Sequence, residues 1–146
     1  MGIYATKQTI GVEMTLAQEI IRVLIVDDVP QVRQELATML RLATRNTRPK
    51  IEVIGEAQDG NEAIALSERL CPDVVLMDLE MPVLDGYSAT RFIKSMNPSI
   101  LVIILTIHNE PMARQDAALA RADAFFEKGA PISELLQAIQ SFRRES

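Results

Sequence analysis

The chain has 146 residues, 48% of them hydrophobic, enough for one domain of ordinary size built on a single sizeable core. Its formal net charge of −5 and pI near 4.9 argue against a chain whose main business is gripping nucleic acid or anionic lipid, since both reward a basic face. The single cysteine, Cys71, rules out an intrachain disulfide, and there is no metal-type Cys/His cluster and no CxxC pair, so a reducing, cytoplasmic setting is expected.

The first residues, MGIYATKQTIGVEMTLAQEI, lack the basic start and sustained apolar run of a secretory signal, and they mix Thr, Gln, Gly and Ala without strand alternation. Residues 1–20 therefore read as an N-terminal extension, with Met14 as a second start, and residues 21–146 as the folded domain. No stretch approaches the roughly 18–20 consecutive apolar residues that span a bilayer. The longest candidate, SILVIILT, has the length of a strand, so no membrane partner is expected.

From Arg22 onward, short apolar runs alternate with segments of helical period. RVLIVDD, IEVIGEA, DVVLMDL, ILVIILT and ADAFFEK are each rich enough in β-branched or aromatic residues to be strands buried on both faces. After the first strand, Val32, Leu36, Met39, Leu40 and Ala43 fall at helical spacing. The basic polar loop TRNTRPK, read as a solvated connection, leads to the second strand. Asp59 and Gly60 mark the start of a second helix, with Ala63, Ile64, Leu66 and Leu70 on one stripe and Pro72 beyond its end. Ser88, Ala89, Phe92, Ile93 and Met96 make a third stripe, closed by Asn97 and Pro98. Pro111 suits the first turn of a fourth helix and Pro131 that of a fifth, which carries Ile132, Leu135, Leu136, Ala138, Ile139 and Phe142. Five strand-helix units in strict alternation predict an α/β domain with a doubly wound, five-stranded parallel sheet.

In such a sheet, ligands bind beyond the carboxyl ends of the strands, near the point where strand order reverses. The first strand ends in Asp27 and Asp28, the third in Asp78, the fourth in Thr106 and the fifth in Lys128. Each alone has an ordinary explanation. Asp78 could form a turn, Asp27 or Asp28 could cap the helix near Pro30, Thr106 could cap the helix after it, and Lys128 could be a solvated end. Together they do not, because three carboxylates at one edge repel one another, which raises pKa values or demands a cation. Mg²⁺ answers that demand, taking one or two protein carboxylates and filling its shell from water and phosphate. Lys128 could then pair with a phosphoryl oxygen and Thr106 donate a hydrogen bond to another, with one carboxylate as nucleophile.

This pattern resembles the receiver domain of two-component response regulators, from about Arg22 to about Arg144, on the acidic pair Asp27 and Asp28, the run DLEMPVLDG from Asp78 to Gly86, Thr106 and Lys128. The resemblance implies a flavodoxin-like (βα)5 fold with strand order 2-1-3-4-5. It also implies Asp78 as phosphoacceptor, helped catalytically by Thr106 and Lys128. Mg²⁺ would be held by Asp78, by Asp28 directly, by Asp27 through water and by the backbone carbonyl of Glu80. Thr106 and Phe125 would be the switch residues, although Phe125 is equally readable as core packing. Met81-Pro82 and Asp85-Gly86 read as loop geometry beside Asp78, proline fixing φ and glycine accepting a positive one.

The stretch LTIHNEPMARQDAALARADAFFEKGAP is similar to the NarL/FixJ-type branch, which often has a histidine two residues after the switch threonine. Here that is His108, read as a helix-start or surface residue rather than a proton carrier. Lys128 is followed by Gly129-Ala130-Pro131, so the cis Lys-Pro bond common in the family cannot form. Glu80 and Ile107 occupy positions that would tune how long the phosphoryl group survives.

The function implied is phosphoryl acceptance from a histidine kinase or phosphotransfer protein, switching the face from about Pro111 to Phe142, which comprises the fourth helix, fifth strand and fifth helix. A homodimer through that face, or through the first and fifth helices, is a further expectation. DNA would be reached only through a C-terminal domain beyond Ser146, as in transcription regulation. The alternatives are a stand-alone receiver working by protein contact or phosphorelay, and a Mg²⁺-dependent phosphatase. The phosphatase is disfavoured by the absence of GxxxxGK[ST] or GxGxxG and by Glu80 where such enzymes place a second Asp. A pseudo-receiver is disfavoured because all five chemical positions are filled.

Overall fold

The computed structural model describes residues 20–107 and 110–142. Residues 1–19 of the expected extension, and His108, lie outside the described residues. Ile20, expected in the extension, instead opens the first strand. The elements are β1 Ile20–Val26, α1 Pro30–Ala43, β2 Lys50–Ala57, α2 Gly60–Leu70, β3 Val74–Met77, α3 Gly86–Met96, β4 Leu101–Thr106, α4 Pro111–Leu119, β5 Ala124–Glu127 and α5 Ile132–Gln140. All strand pairs are parallel and the sheet order is β2-β1-β3-β4-β5, the expected topology.

Strand side chains alternate between two apolar layers because successive Cβ atoms point to opposite faces. Val23, Ile25, Val74, Leu76 and Ile103 meet Leu40 of α1 and Leu135 and Ile139 of α5. Leu24, Val26, Val75, Met77, Val102 and Ile104 meet Ala63 of α2, Ala89 and Ile93 of α3, and Ala113 and Ala117 of α4. Each fully buried branched side chain contributes about 1.5–3 kcal/mol relative to exposure. The central strands β1, β3 and β4 are thus covered on both faces, which their unbroken apolar runs require. The edge strands β2 and β5 depart from the expectation of full burial. Glu52 and Glu56 of β2 are exposed and β5 is only half-buried, because an edge strand borders solvent along one side.

The helix stripes are narrower than expected. Met39 is exposed on α1, and Phe92 (49%) and Met96 (42%) are exposed on α3. On α3 the inward positions go to Thr90 and Lys94 beside Ala89 and Ile93. Lys94 tolerates burial because its ammonium donates to Pro98 O at 3.0 Å, Ile100 O at 2.8 Å and Asp123 Oδ2 at 2.8 Å. Asp59 caps α2 by accepting from Glu62 N at 2.8 Å, as its position suggested. Pro131 is the N-cap of α5 rather than part of its first turn.

Candidate functional site

β1 and β3 are neighbours at the point where strand order reverses, so the residues just past their ends share one crevice. Carboxylate oxygens of Asp27, Asp28 and Asp78 all lie within 4.8 Å of one another, with Asp27 and Asp78 buried and Asp28 exposed. Among the described residues this is the one acidic group so arranged. Parallel pairing extends past the strands and aligns their ends: Asp78 N donates to Val26 O at 3.0 Å, Asp27 N to Ala57 O at 3.0 Å, and Lys128 N to Thr106 O at 2.7 Å.

Lys128 enters this cluster from beyond β5. Its Nζ donates to Asp27 Oδ2 at 2.6 Å and lies 3.6 Å from Asp78 Oδ1. Burial pulls the ammonium down, but the hydrogen bond to Asp27 and the charges of Asp78 and Asp27 outweigh it and hold Lys128 above the usual lysine value. Asp27 Oδ1 accepts from Val29 N at 2.9 Å and Asp78 Oδ1 from Leu79 N at 2.9 Å. The Asp78 carboxyl is raised from its ordinary 3.8 to about 6. Burial is the largest cause, opposed by Lys128 and by the Leu79 N–H; repulsion from Asp27 and Asp28 adds less. Repulsion between carboxylates, the reason first expected for a shift, is therefore secondary to desolvation.

The capping explanations do not hold. The N-cap of α1 is Val29, with no side-chain cap bond, so neither Asp27 nor Asp28 caps that helix. The helix after β4 starts at Pro111 behind Glu110, likewise without a side-chain cap, and Thr106 lies fully buried at the end of β4. Glu80 stands exposed in the loop after β3. Phe125 is half-buried against the core layer formed with α2, α3 and α4, and the Arg114 guanidinium lies 4.7 Å from its ring centroid.

The loop from Leu79 to Asp85 is shaped differently from the expectation. The positive φ in it belongs to Val83, at 71°, while Gly86 opens α3. A Cβ on Gly86 would come within 2.0 Å of the Asp78 carbonyl oxygen and 2.9 Å of Leu79 Cα, so glycine serves there to let the helix start press on the Asp78 peptide. Gly60 does the same for the other side of the loop, its N donating to Leu84 O at 3.0 Å where a Cβ would lie 2.4 Å from that oxygen. Asp85 caps α3 by accepting from Ser88 N at 2.8 Å. Close approach of this kind carries no sequence mark beyond the glycine itself.

A family model described as "Response regulator receiver domain" matches residues 23–140. Among curated proteins the chain is similar to "Protein-glutamate methylesterase/protein-glutamine glutaminase 2" of Methanospirillum hungatei, 40% identical over 133 residues, covering 84% of this chain and 37% of that protein. It is also similar to "Response regulator GacA" of Pseudomonas viridiflava, 37% identical over 120 residues, covering 82% and 54%. The chain thus spans about half or less of the length of these relatives. Among solved structures it resembles the signal receiver domain of the putative response regulator NarL from Mycobacterium tuberculosis, with a TM-score of 0.75 and 30% identity, covering 83% of this chain and 94% of that one.

Proposed function

The chain belongs to the response regulator receiver domain family, and from that premise we propose that Asp78 accepts a phosphoryl group from a histidine kinase or phosphotransfer protein. The observation that carries this reading is the setting of Asp78. It is a buried carboxyl raised to about 6, grouped with Asp27 and Asp28 and approached by Lys128. A carboxylate oxygen of Asp78 attacks phosphorus while the bond from phosphorus to the donor's histidine nitrogen breaks. The nitrogen leaves with the bonding pair, and an aspartyl phosphate results. Lys128 is suited to pair with a phosphoryl oxygen, and Thr106, buried at the end of β4, to donate its hydroxyl to another.

The donor set fits Mg²⁺. It consists of hard carboxylate oxygens in one crevice, one of them reluctant to ionise without added positive charge. Asp28 and Asp78, with Asp27 and the Glu80 carbonyl, are the residues that would hold it. When bound, the ion supplies positive charge that offsets the negative charge of the phosphoryl oxygens during transfer.

Output is proposed to pass through the α4-β5-α5 surface, with Thr106 and Phe125 as the residues that reorient, to a linked domain, a separate partner or a second copy, the last also through α1 and α5. The M. hungatei relative is named for an esterase activity, so an enzymatic output stands beside transcription regulation. This acidic chain would reach DNA only through another domain. Among the described residues no helix is long and apolar enough to cross a membrane, and a cytoplasmic place is part of the proposal.

The test is incubation with acetyl phosphate and Mg²⁺, followed by phosphate-affinity electrophoresis of the parent and of Asp78→Asn. Labelling of the parent, abolished in the variant and by chelation, is expected. Labelling that survives in Asp78→Asn, or sustained turnover of a phosphomonoester, would overturn the reading.

A further inference from the structure

Beneath the acidic cluster, a charged pair contributes to the site through backbone alone. Arg33 of α1 donates from Nη1 to the carbonyl oxygen of Asp27 at 2.6 Å and from Nε to Glu56 Oε1 of β2 at 3.0 Å. The Arg33 side chain is 14% exposed and that of Glu56 39%. The guanidinium is a rigid plane, so the contact to Glu56 fixes the direction of the contact to Asp27. The carbonyl it holds belongs to the planar peptide joining Asp27 to Asp28; orienting that peptide orients the start of both carboxylate-bearing residues. The other side of Asp27 is already tied, its N–H donating to Ala57 O at 3.0 Å, while Arg33 N anchors α1 to Val29 O at 3.2 Å. The turn carrying both acids is thereby bracketed by β2 below and α1 behind.

We propose that Arg33 and Glu56 are positioning residues for the cation site: they set the geometry with which Asp27 and Asp28 meet a divalent ion and do not touch it. This inference rests on the reading of Asp27, Asp28 and Asp78 as a Mg²⁺ site. It makes a prediction opposite in sign to that of charge alone. A guanidinium beside a divalent cation repels it, so removing Arg33 would tighten Mg²⁺ binding if the charge were all that mattered. Removing it weakens binding if its task is to hold the Asp27 peptide.

The experiment is a Mg²⁺ titration by calorimetry, without any phosphoryl donor, on the parent, Arg33→Met, Arg33→Lys, Glu56→Gln and the double variant Arg33→Met/Glu56→Gln, with thermal unfolding of each. The Mg²⁺ Kd should rise about fivefold to tenfold in Arg33→Met and about twofold to threefold in Glu56→Gln. Arg33→Lys should restore only part, since an ammonium cannot span both acceptors in one plane. The double variant should be no worse than Arg33→Met, the signature of one coupled unit. An unchanged or lower Kd in Arg33→Met and in the isosteric Glu56→Gln, whatever happens to Tm, would overturn the positioning role and leave the cation site standing. A parent that binds no Mg²⁺ would overturn both.

Discussion

Lys128 is bonded more closely to Asp27 than to Asp78: its Nζ is 2.6 Å from Asp27 Oδ2 and 3.6 Å from Asp78 Oδ1. The lysine, 24% exposed in its side chain, thus offsets the charge of one buried acid directly and of the other at longer range. Lys128→Met leaves both without that cation, and the cost should be about 1–3 kcal/mol in metal-free buffer, below that of breaking a fully buried pair because water still reaches the ammonium. A divalent cation would replace much of the lost charge. Urea unfolding in chelator and in Mg²⁺ should show the variant recovering more stability with Mg²⁺ than the parent does; an equal deficit in both buffers would refute this.

The raised Asp78 carboxyl makes stability depend on pH in a stated direction. Its folded value, about 6, lies above the ordinary 3.8, so the unfolded chain ionises first as pH rises. Near pH 3 the acid is protonated in both states and costs nothing. Between about 4 and 6 the folded state loses ground, and above 6 the full penalty of about 3 kcal/mol is present. Asp78→Asn removes that titration. In metal-free buffer its advantage over the parent should grow by about 2 kcal/mol between pH 4 and pH 7.5, somewhat less than the full shift because the unfolded carboxyl is already largely ionised at pH 4. A parent-variant difference that stays flat across this range would contradict the burial account.

Gly86 and Gly129 invite the same substitution for opposite reasons. Ala at 86 drives a Cβ to 2.0 Å from the Asp78 carbonyl oxygen, a backbone atom that cannot swing aside, whereas Ala at 129 meets nothing within 4 Å and suffers only its φ of +97°. Gly86→Ala should cost about 3 kcal/mol or more by urea unfolding, and should weaken Mg²⁺ binding because the displaced peptide carries Asp78. Gly129→Ala should cost about 1 kcal/mol and leave Mg²⁺ binding unchanged. Equal costs would mean that α3 can retreat from the Asp78 peptide.

Much of this was legible beforehand because the signals are local or topological. Short unbroken apolar runs such as DVVLMDL and the helical stripes between them specify strand and helix, and a doubly wound sheet gathers its strand ends whatever the loops do. Asp27, Asp28, Asp78 and Lys128 needed nothing more to be grouped. What stayed hidden depends on distant partners or on solvent access. Lys94 and Asp123 lie 29 residues apart and read as surface charges until the Pro98 and Ile100 carbonyls are seen to complete the ammonium's shell. Arg33 and Glu56, 23 residues apart, look equally solvated. That burial, more than repulsion, perturbs Asp78 follows from how water is excluded, which residue spacing does not encode.

Ile107 and Glu80 provide a last, kinetic prediction. Ile107 directly follows Thr106 and is 71% exposed, an aliphatic side chain just past the end of β4 where packing does not require it. Glu80, also exposed, lies two residues past Asp78. Hydrolysis of an aspartyl phosphate needs water in line with the bond that breaks, so an apolar group near its approach hinders it, and a carboxylate able to accept a hydrogen bond from that water favours it. Ile107→Ala should therefore speed phosphate release about threefold to tenfold, and Glu80→Ala should slow it about twofold to fivefold, changes of roughly 0.4–1.4 kcal/mol in barrier. The measurement is inorganic phosphate released after loading with acetyl phosphate and rapid removal of donor. Since neither side chain is buried, unfolding free energies should change by less than about 0.5 kcal/mol, separating a lifetime effect from a folding one. Release at the parent's rate in both variants would remove these positions from the control of phosphoryl lifetime.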